Sequence, residues 1–124
     1  LKKKGQTGEE LLRTLERRLD NVVYRLALTP TRSMARQLVN HGHVRVDGKK
    51  VSIPSYATKP GNVISLSDKA LKIPQTEALA KEKKPDIPAW LSRKAAVGKI
   101  ERLPVREDMD ADINEQYIVE VYSR

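Results

Sequence analysis

Residues 31–53 read Thr31-Arg32-Ser33-Met34-Ala35-Arg36-Gln37-Leu38-Val39-Asn40-His41-Gly42-His43-Val44-Arg45-Val46-Asp47-Gly48-Lys49-Lys50-Val51-Ser52-Ile53, and they change hydrophobic period halfway. From Thr31 to Asn40 the apolar positions Met34, Ala35, Leu38 and Val39 fall on one helical face. Arg32 and Arg36 stand one turn apart on the other face, beside Ser33, Gln37 and Asn40. Gly42 is a natural helix stop. From Val44 the period drops to two: Val44, Val46, Val51 and Ile53 alternate with Arg45, Lys50 and Ser52, as in a half-buried strand pair. Asp47-Gly48 between them is a favoured two-residue hairpin turn. A basic helix running straight into a basic hairpin is the expected nucleus of the fold.

Upstream, Thr7-Gly8-Glu9-Glu10 fits a capping box with Thr7 as N-cap. Leu12, Leu15, Leu19, Val22 and Leu26 follow at spacings of 3 and 4, predicting one helix or two successive helices. Arg13, Arg17, Arg18 and Arg25 project from the other sides, and Thr29-Pro30-Thr31 separates this run from the next helix. Downstream, Pro60-Gly61-Asn62 predicts a turn and Val63–Leu66 a third strand. Ile73 to Lys84 reads as a short helix with Glu77 and Lys81 at helical spacing. Trp90-Leu91 and Ile100–Leu103 read as strands around a Gly98 turn. Asp112-Ile113-Asn114-Glu115 caps a terminal helix with Ile113, Tyr117, Ile118, Val121 and Tyr122 on its apolar side. The expected class is α+β: a basic helix pair on a small, mostly antiparallel sheet, with flanking helices.

Charge narrows the function. The 124 residues carry 24 Lys+Arg against 16 Asp+Glu, a net charge of +8. Residues 1–50 hold 12 basic and 5 acidic side chains, a local excess of +7; residues 51–84 hold +3 and residues 85–124 hold −2. Such an excess attracts polyanions, so a nucleic acid is the expected partner of the first two thirds. No run approaches the roughly 20 apolar residues of a membrane span, and Leu1-Lys2-Lys3-Lys4-Gly5 opens no signal-peptide pattern, so no membrane partner and a cytoplasmic location are expected. Cysteine is absent, which excludes disulfides and thiolate metal sites.

Catalysis finds no support: there is no glycine-rich phosphate loop, no cysteine nucleophile and no serine in a nucleophile motif. Asp108, Asp110 and Asp112 resemble the start of a calcium loop, but its sixth position is Ile113 and its twelfth Val119, where Gly and Glu are required. His41 and His43 have no third ligand nearby, so no metal or cofactor is expected; at a turn their imidazoles suit a phosphate or a 2′-hydroxyl. Guanidinium forks match phosphate oxygens two at a time, which favours Arg32 and Arg36 as ligands of a nucleic-acid backbone. Tyr24 and Tyr56 are the only aromatics in the first 66 residues, which disfavours modules that stack single-stranded bases and favours folded RNA read by shape. DNA is the weaker choice, since the helix offers few base-reading side chains and no dimerisation motif is visible.

Four blocks then carry a resemblance. Arg18-Leu19-Asp20, Thr31–Val39, Gly42–Lys49 and Gly61–Leu66, in this order and spacing, resemble the S-four RNA-binding domain (the alpha-L motif) over residues 17–66. That domain also occurs on pseudouridine synthases, tyrosyl-tRNA synthetases and a heat-shock RNA-binding protein. The flanks, Leu19–Leu26, Pro88-Ala89-Trp90-Leu91 and Ala111–Ser123, are similar to the bacterial small-subunit ribosomal protein four family. The resemblance implies binding to the five-way junction in the 5′ domain of small-subunit ribosomal RNA, early action in subunit assembly, and contact with ribosomal protein five that affects decoding accuracy. The messenger encoding the protein is a further candidate ligand. Carried over, Thr31, Arg32, Ser33, Arg36, Gln37, His41, Arg45 and Lys49 face RNA; Lys50, Arg13, Arg17 and Arg18 complete the expected RNA-binding set. Asp108, Asp110 and Glu115 are the expected protein-partner contacts.

The expected organisation is residues 1–16 as a helical flank, 17–66 as the RNA-binding domain, and 67–124 as an extension with a helix, short strands and a terminal helix. Members of the family carry additional N-terminal helices, sometimes with a cysteine zinc site, so this sequence is expected to be a C-terminal portion. The rival readings are an RNA-modifying enzyme, for whose catalytic domain 124 residues leave no room, and a stand-alone stress-response RNA binder, which the acidic tail disfavours. The turn is directly testable. An Asp-Gly hairpin turn requires positive φ at Gly48, where a β-branched residue costs about 1–2 kcal/mol. Gly48→Val is expected to lower both the melting temperature and RNA affinity; unchanged values for both would refute the hairpin assignment.

Overall fold

The computed structural model describes residues 7–105. The expected terminal helix after Asp112 lies outside them. In chain order the elements are α1 (Thr7–Glu16), α2 (Leu19–Arg25), α3 (Arg32–Asn40), β1 (Val44–Val46), β2 (Lys49–Lys50), β3 (Val63–Leu66), α4 (Asp68–Leu71), α5 (Pro74–Ala80), β4 (Leu91–Lys94) and β5 (Val97–Ile100). The strands form one antiparallel sheet in the order β2-β1-β3-β5-β4. The α+β class holds, and residues beyond 66 complete the sheet of residues 44–66.

The long upstream stripe is two helices. Between them Arg18 is extended (φ −57°, ψ 141°) and bridges Ala57. The loop after the hairpin is stitched into this break: Leu19 N donates to Tyr56 O at 2.9 Å, Asp20 N to Pro54 O at 3.1 Å and Thr58 N to Arg17 O at 3.1 Å. Asp20 favours the new start, because its carboxylate accepts from Asn21 N at 2.7 Å and sits at the positive end of α2.

The same loop corrects the reading of Val51 and Ile53. β2 stops at Lys50, and although Val51 N still donates to Val44 O at 3.1 Å, Ile53 is 59% exposed. Tyr56 N donates to Ile53 O at 3.0 Å, so the chain turns through Pro54 toward α2 and Ile53 never reaches the core. The Asp47-Gly48 turn is as expected, with φ of +52° and +83°. Met34 is only half-buried, and α1 begins at Thr7 itself. The helix expected over Ile73–Lys84 is α5, started by Pro74 and ended at Ala80; the short α4 before it, capped by Ser67 Oγ accepting from Ala70 N at 3.2 Å, was not expected.

Gly98 is the largest correction. It lies inside β5, not in a turn; the hairpin turns at Ala95-Ala96, and the strands run 91–94 and 97–100. A Cβ at Gly98 would fall inside van der Waals contact with Leu26, so the glycine exists to let the end of α2 rest on the sheet. Leu19, Val22, Val23 and Leu26 of α2, Ala35, Leu38 and Val39 of α3, and the inward Val44, Val46, Ile64 and Ile100 form the core with Trp90. Each large aliphatic side chain fully buried there contributes about 1.5–3 kcal/mol.

Arg93 pairs with Gly98 across the hairpin and also faces inward. Its Nη1 donates to Leu26 O at 2.9 Å and Ala27 O at 3.1 Å, its Nη2 to Leu79 O and its Nε to Ala95 O. Burial lowers the affinity of this guanidinium for its proton, and the nearby Glu82 charge acts the other way. Arg93→Met keeps much of the stem but takes the side-chain donor from the carbonyls of Leu26 and Ala27, and is expected to cost about 2–4 kcal/mol in denaturant titration. Arg93→Lys is expected to restore only part, because an ammonium cannot span the fork. Wild-type stability in either variant would refute the clamp.

Candidate nucleic-acid interface

Helix α3 builds the site. Thr31 is extended and its hydroxyl accepts from Met34 N at 3.1 Å, which fixes the helix start. Ala35, Leu38 and Val39 then bury one face and leave Arg32, Ser33, Arg36, Gln37 and Asn40 exposed on the other. The helix contains no acidic residue, so its first turn holds Arg32 against an unfavourable dipole. The helix ends in a Schellman motif: Gly42 has φ +77°, Gly42 N donates to Val39 O and His43 N to Leu38 O, both at 3.0 Å. The stem of Lys50 lies against Gly42, its Cδ 3.3 Å from where a Cβ would be, which seals β2 to the end of α3.

Arg32 is held in place. Its Nε donates to Asn21 Oδ1 at 2.9 Å and its guanidinium carbon lies 4.6 Å from the centroid of the Tyr24 ring. Asn21 is buried and its amide donates to Glu16 O at 2.7 Å, so the acceptor presented to Arg32 is fixed. Neither Asn21 nor Tyr24 was anticipated as part of the site; only Tyr24's proximity in sequence to a basic helix hinted at it. Arg36 makes no hydrogen bond or ion pair among the described residues and is fully available.

The hairpin divides its cations between two faces. Arg45 is opposite Lys50 and points away from the core, whereas Lys49 is opposite the inward Val46. Asp47 is committed to the fold: its carboxylate accepts from Val63 N at 2.8 Å and Asn62 Nδ2 at 2.9 Å. His41 is exposed at the end of α3. His43 is half-buried, its Nδ1 2.9 Å from Ser67 Oγ, the cap of α4.

The structure thus gathers Thr31, Arg32, Ser33, Arg36, Gln37 and His41 on the exposed side of α3 and its ends, with Lys49, Lys50 and Arg45 around the adjoining hairpin. It sets Arg13, Arg17 and Arg18 apart. Arg13 Nε donates to Pro104 O at 3.1 Å, Arg17 Nε to Thr58 O at 2.9 Å, and Arg18 forms a two-pronged pair with Asp20 at 3.1 and 3.0 Å. All three are half-buried and tie down the break between α1 and α2. Asp108, Asp110, Asp112 and Glu115 lie outside the described residues.

A family model described as the S4 domain matches residues 17–64, the span from the break before α2 through β3. Across nearly the whole chain the similarity is closer still. The "Small ribosomal subunit protein uS4" of Dictyoglomus turgidum is 53% identical over 99% of this chain, and that of Anaeromyxobacter sp. (strain K) is 50% identical over 98%. The "Small ribosomal subunit protein uS4A" of Clostridium botulinum is 50% identical over 99%. Over nearly its whole length the chain is similar to uS4 proteins. It spans about 60% of the length of each of these relatives.

No described helix is long and apolar enough to cross a membrane, and no group of three or more metal-ligating side chains converges among the described residues. What the site offers is positive charge on a fixed frame. Asn21→Ala removes both the acceptor for Arg32 and the donor to Glu16 O, and is expected to cost about 1–3 kcal/mol of stability. Arg32→Ala is expected to cost less than about 1 kcal/mol, since its contacts lie at the surface. Thermal or urea unfolding of the two variants checks the order; the reverse order would show that Asn21 is not the anchor.

Proposed function

We propose that this chain is a structural, non-catalytic RNA-binding component of the small ribosomal subunit, gripping small-subunit ribosomal RNA through α3 and the β1–β2 hairpin. The observation that carries it is the exposed face of α3: Arg32 locked by Asn21 and Tyr24, Arg36 one turn later without a partner among the described residues, and no carboxylate on the helix to neutralise either. Arginine forks in that state suit phosphate, and the scarcity of aromatic platforms suits backbone shape over splayed bases. Residues 17–66 act in this reading as the RNA-binding domain, residues 1–16 as its helical flank and 67–124 as an extension bracing it.

The finer assignment follows the resemblance. The RNA is the 5′ domain with its five-way junction, the chain acts early in assembly of the cytoplasmic ribosome, and the messenger encoding it is a second RNA ligand. The acidic stretch with Asp108, Asp110 and Glu115 is a poor phosphate binder and suits a basic protein neighbour, ribosomal protein five. The membrane has no part in this reading.

The test is a titration of a 5′-domain transcript across a salt series. Each phosphate contact steepens the dependence of log K on log salt by roughly 0.7–0.9. Arg32→Ala/Arg36→Ala is expected to make the slope shallower by about 1.4–1.8 and to weaken binding by on the order of 10–100-fold. Asp108→Asn/Asp110→Asn is expected to leave affinity unchanged or slightly higher. A salt-independent wild type, or an arginine variant that binds as tightly as the parent, would overturn the function proposed.

A further inference from the structure

The last third of the sequence carries a net charge of −2, yet two of its lysines land on a basic surface. Inward residues of the sheet meet α2 and α3; the residues between them face the opposite way. Arg45 on β1 lies opposite both Lys50 on β2 and Ser65 on β3, and Lys94 on β4 lies opposite Val97 on β5. The β3–β5 register, continued by one residue, sets Ser65 beside Val97. The row Lys50–Arg45–Ser65–Val97–Lys94 therefore crosses all five strands, a span of about 19 Å at the usual strand spacing. A second row holds Lys99 between Val63 and Ser92.

Four cations thus share the outer face and outnumber the carboxylates that border it among the described residues, Asp47 and Glu101. Asp47 accepts from Val63 N and Asn62, and Glu101 accepts from Ser92 Oγ at 2.5 Å. Val63 and Val97 are 37% and 45% exposed and, with Lys94 and Lys99, line a shallow groove of about 360 Å³. Lysines on edge strands also serve to block edge-to-edge pairing, which suffices for Lys50 on β2 and Lys94 on β4. It does not account for Arg45 and Lys99, which lie on interior strands β1 and β5.

We propose that the outer face of the sheet is a second phosphate-binding track, distinct from α3, that holds the backbone of a double-helical RNA segment from the β1–β2 hairpin across to Lys94 and Lys99. The inference rests on the RNA-binding function proposed above and extends it to a surface in the acidic third of the sequence. The occupant is RNA by charge complementarity: cations spaced across about 19 Å match a run of phosphates, and the valines between them suit ribose rather than a base plane.

The experiment needs no mutation at first. The full chain, free and saturated with a 5′-domain transcript of small-subunit ribosomal RNA, is treated with an amine-acetylating reagent, and each lysine is followed by mass spectrometry. Lys94 and Lys99 are expected to be protected several-fold in the complex together with Lys49. Lys94→Gln/Lys99→Gln, both at exposed sites, is expected to make the log K against log salt slope shallower by about 1.4–1.8. Protection of Lys49 alone, with the slope of the double variant unchanged, overturns the track and leaves the α3 function standing. Failure of any lysine to be protected, with no salt-dependent binding, removes both. Protection of Lys94 and Lys99 by a polyglutamate peptide but not by the RNA would assign the face to an acidic protein and overturn the track.

Discussion

The fold depends on how the end of α2 is seated on the β4–β5 hairpin. Gly98 clears the space that Leu26 occupies, and Arg93 beside it takes the carbonyls of Leu26 and Ala27. The same guanidinium reaches the carbonyl of Leu79 in α5 and that of Ala95 in its own turn. A helix leaves its last carbonyls without intrahelical partners, and a cation is the favoured group to meet them. Arg93 does so for two helices at once. The cost is partial desolvation of a guanidinium, offset by a nearly complete set of hydrogen bonds, which a lysine could not arrange.

From that seat the site is built in a few steps. α2 is fixed at its far end by the loop 54–58 and by Asp20, and at its near end by Arg93. Arg25 pairs with the buried Glu16 at 2.8 Å, which sets the angle between α1 and α2. Glu16 O in turn holds Asn21, and Asn21 holds Arg32. A change at the sheet therefore reaches the exposed arginine through packed and hydrogen-bonded neighbours. The residues proposed to grip RNA sit on α3, but Arg32 is positioned by α2, through Asn21 and Tyr24.

Where sequence reading succeeded, the chemistry was local. Gly42 and Asp47-Gly48 sit where left-handed backbone is needed, and the helix expected over Thr31–Asn40 is α3, Arg32–Asn40. Where it failed, the cause was a distant partner. The end of α2 uses the same Schellman bonds as α3, with Ala27 N donating to Tyr24 O and Leu28 N to Val23 O, but the left-handed residue is Ala27 at φ +59°. An alanine there gives no signal, and its strain is carried by Arg93. The β4–β5 turn likewise uses Ala95 at φ +56°, so the nearest glycine, Gly98, drew the turn to the wrong place. For the same reason the sequence left one helix or two open over residues 12–26, since the groups that hold the break at Arg17-Arg18 open come from residues 54–58. Of the residues expected to face RNA, Thr31, Arg32, Ser33, Arg36, Gln37 and His41 lie together on the exposed side of α3 and its ends, and Lys49, Lys50 and Arg45 edge the adjoining hairpin, whereas Arg13, Arg17 and Arg18 bond within the protein.

Averaging charge along the chain also misplaced part of the positive surface. Lys94 and Lys99 belong to an acidic stretch in sequence, and only antiparallel register places them alongside Arg45 and Lys50. That arrangement has a cost in the isolated protein. Arg45 directly opposite Lys50 is a like-charge cross-strand pair, destabilising by a few tenths to about 1 kcal/mol, and β2 contributes only two residues against it. Arg32 in the first turn of α3 adds a second unfavourable charge. None of these three cations forms an ion pair among the described residues; Asp47 accepts from Val63 N and Asn62, and Glu101 from Ser92 Oγ. Both penalties turn into gains when a polyanion supplies the missing negative charge, since the cations are already ordered and only screening ions have to leave. In the proposed RNA complex the stability forgone at Arg45, Lys50 and Arg32 would return as affinity, and it falls on a helix whose Arg32 is positioned by the buried Asn21 of α2 and on the hairpin that follows it.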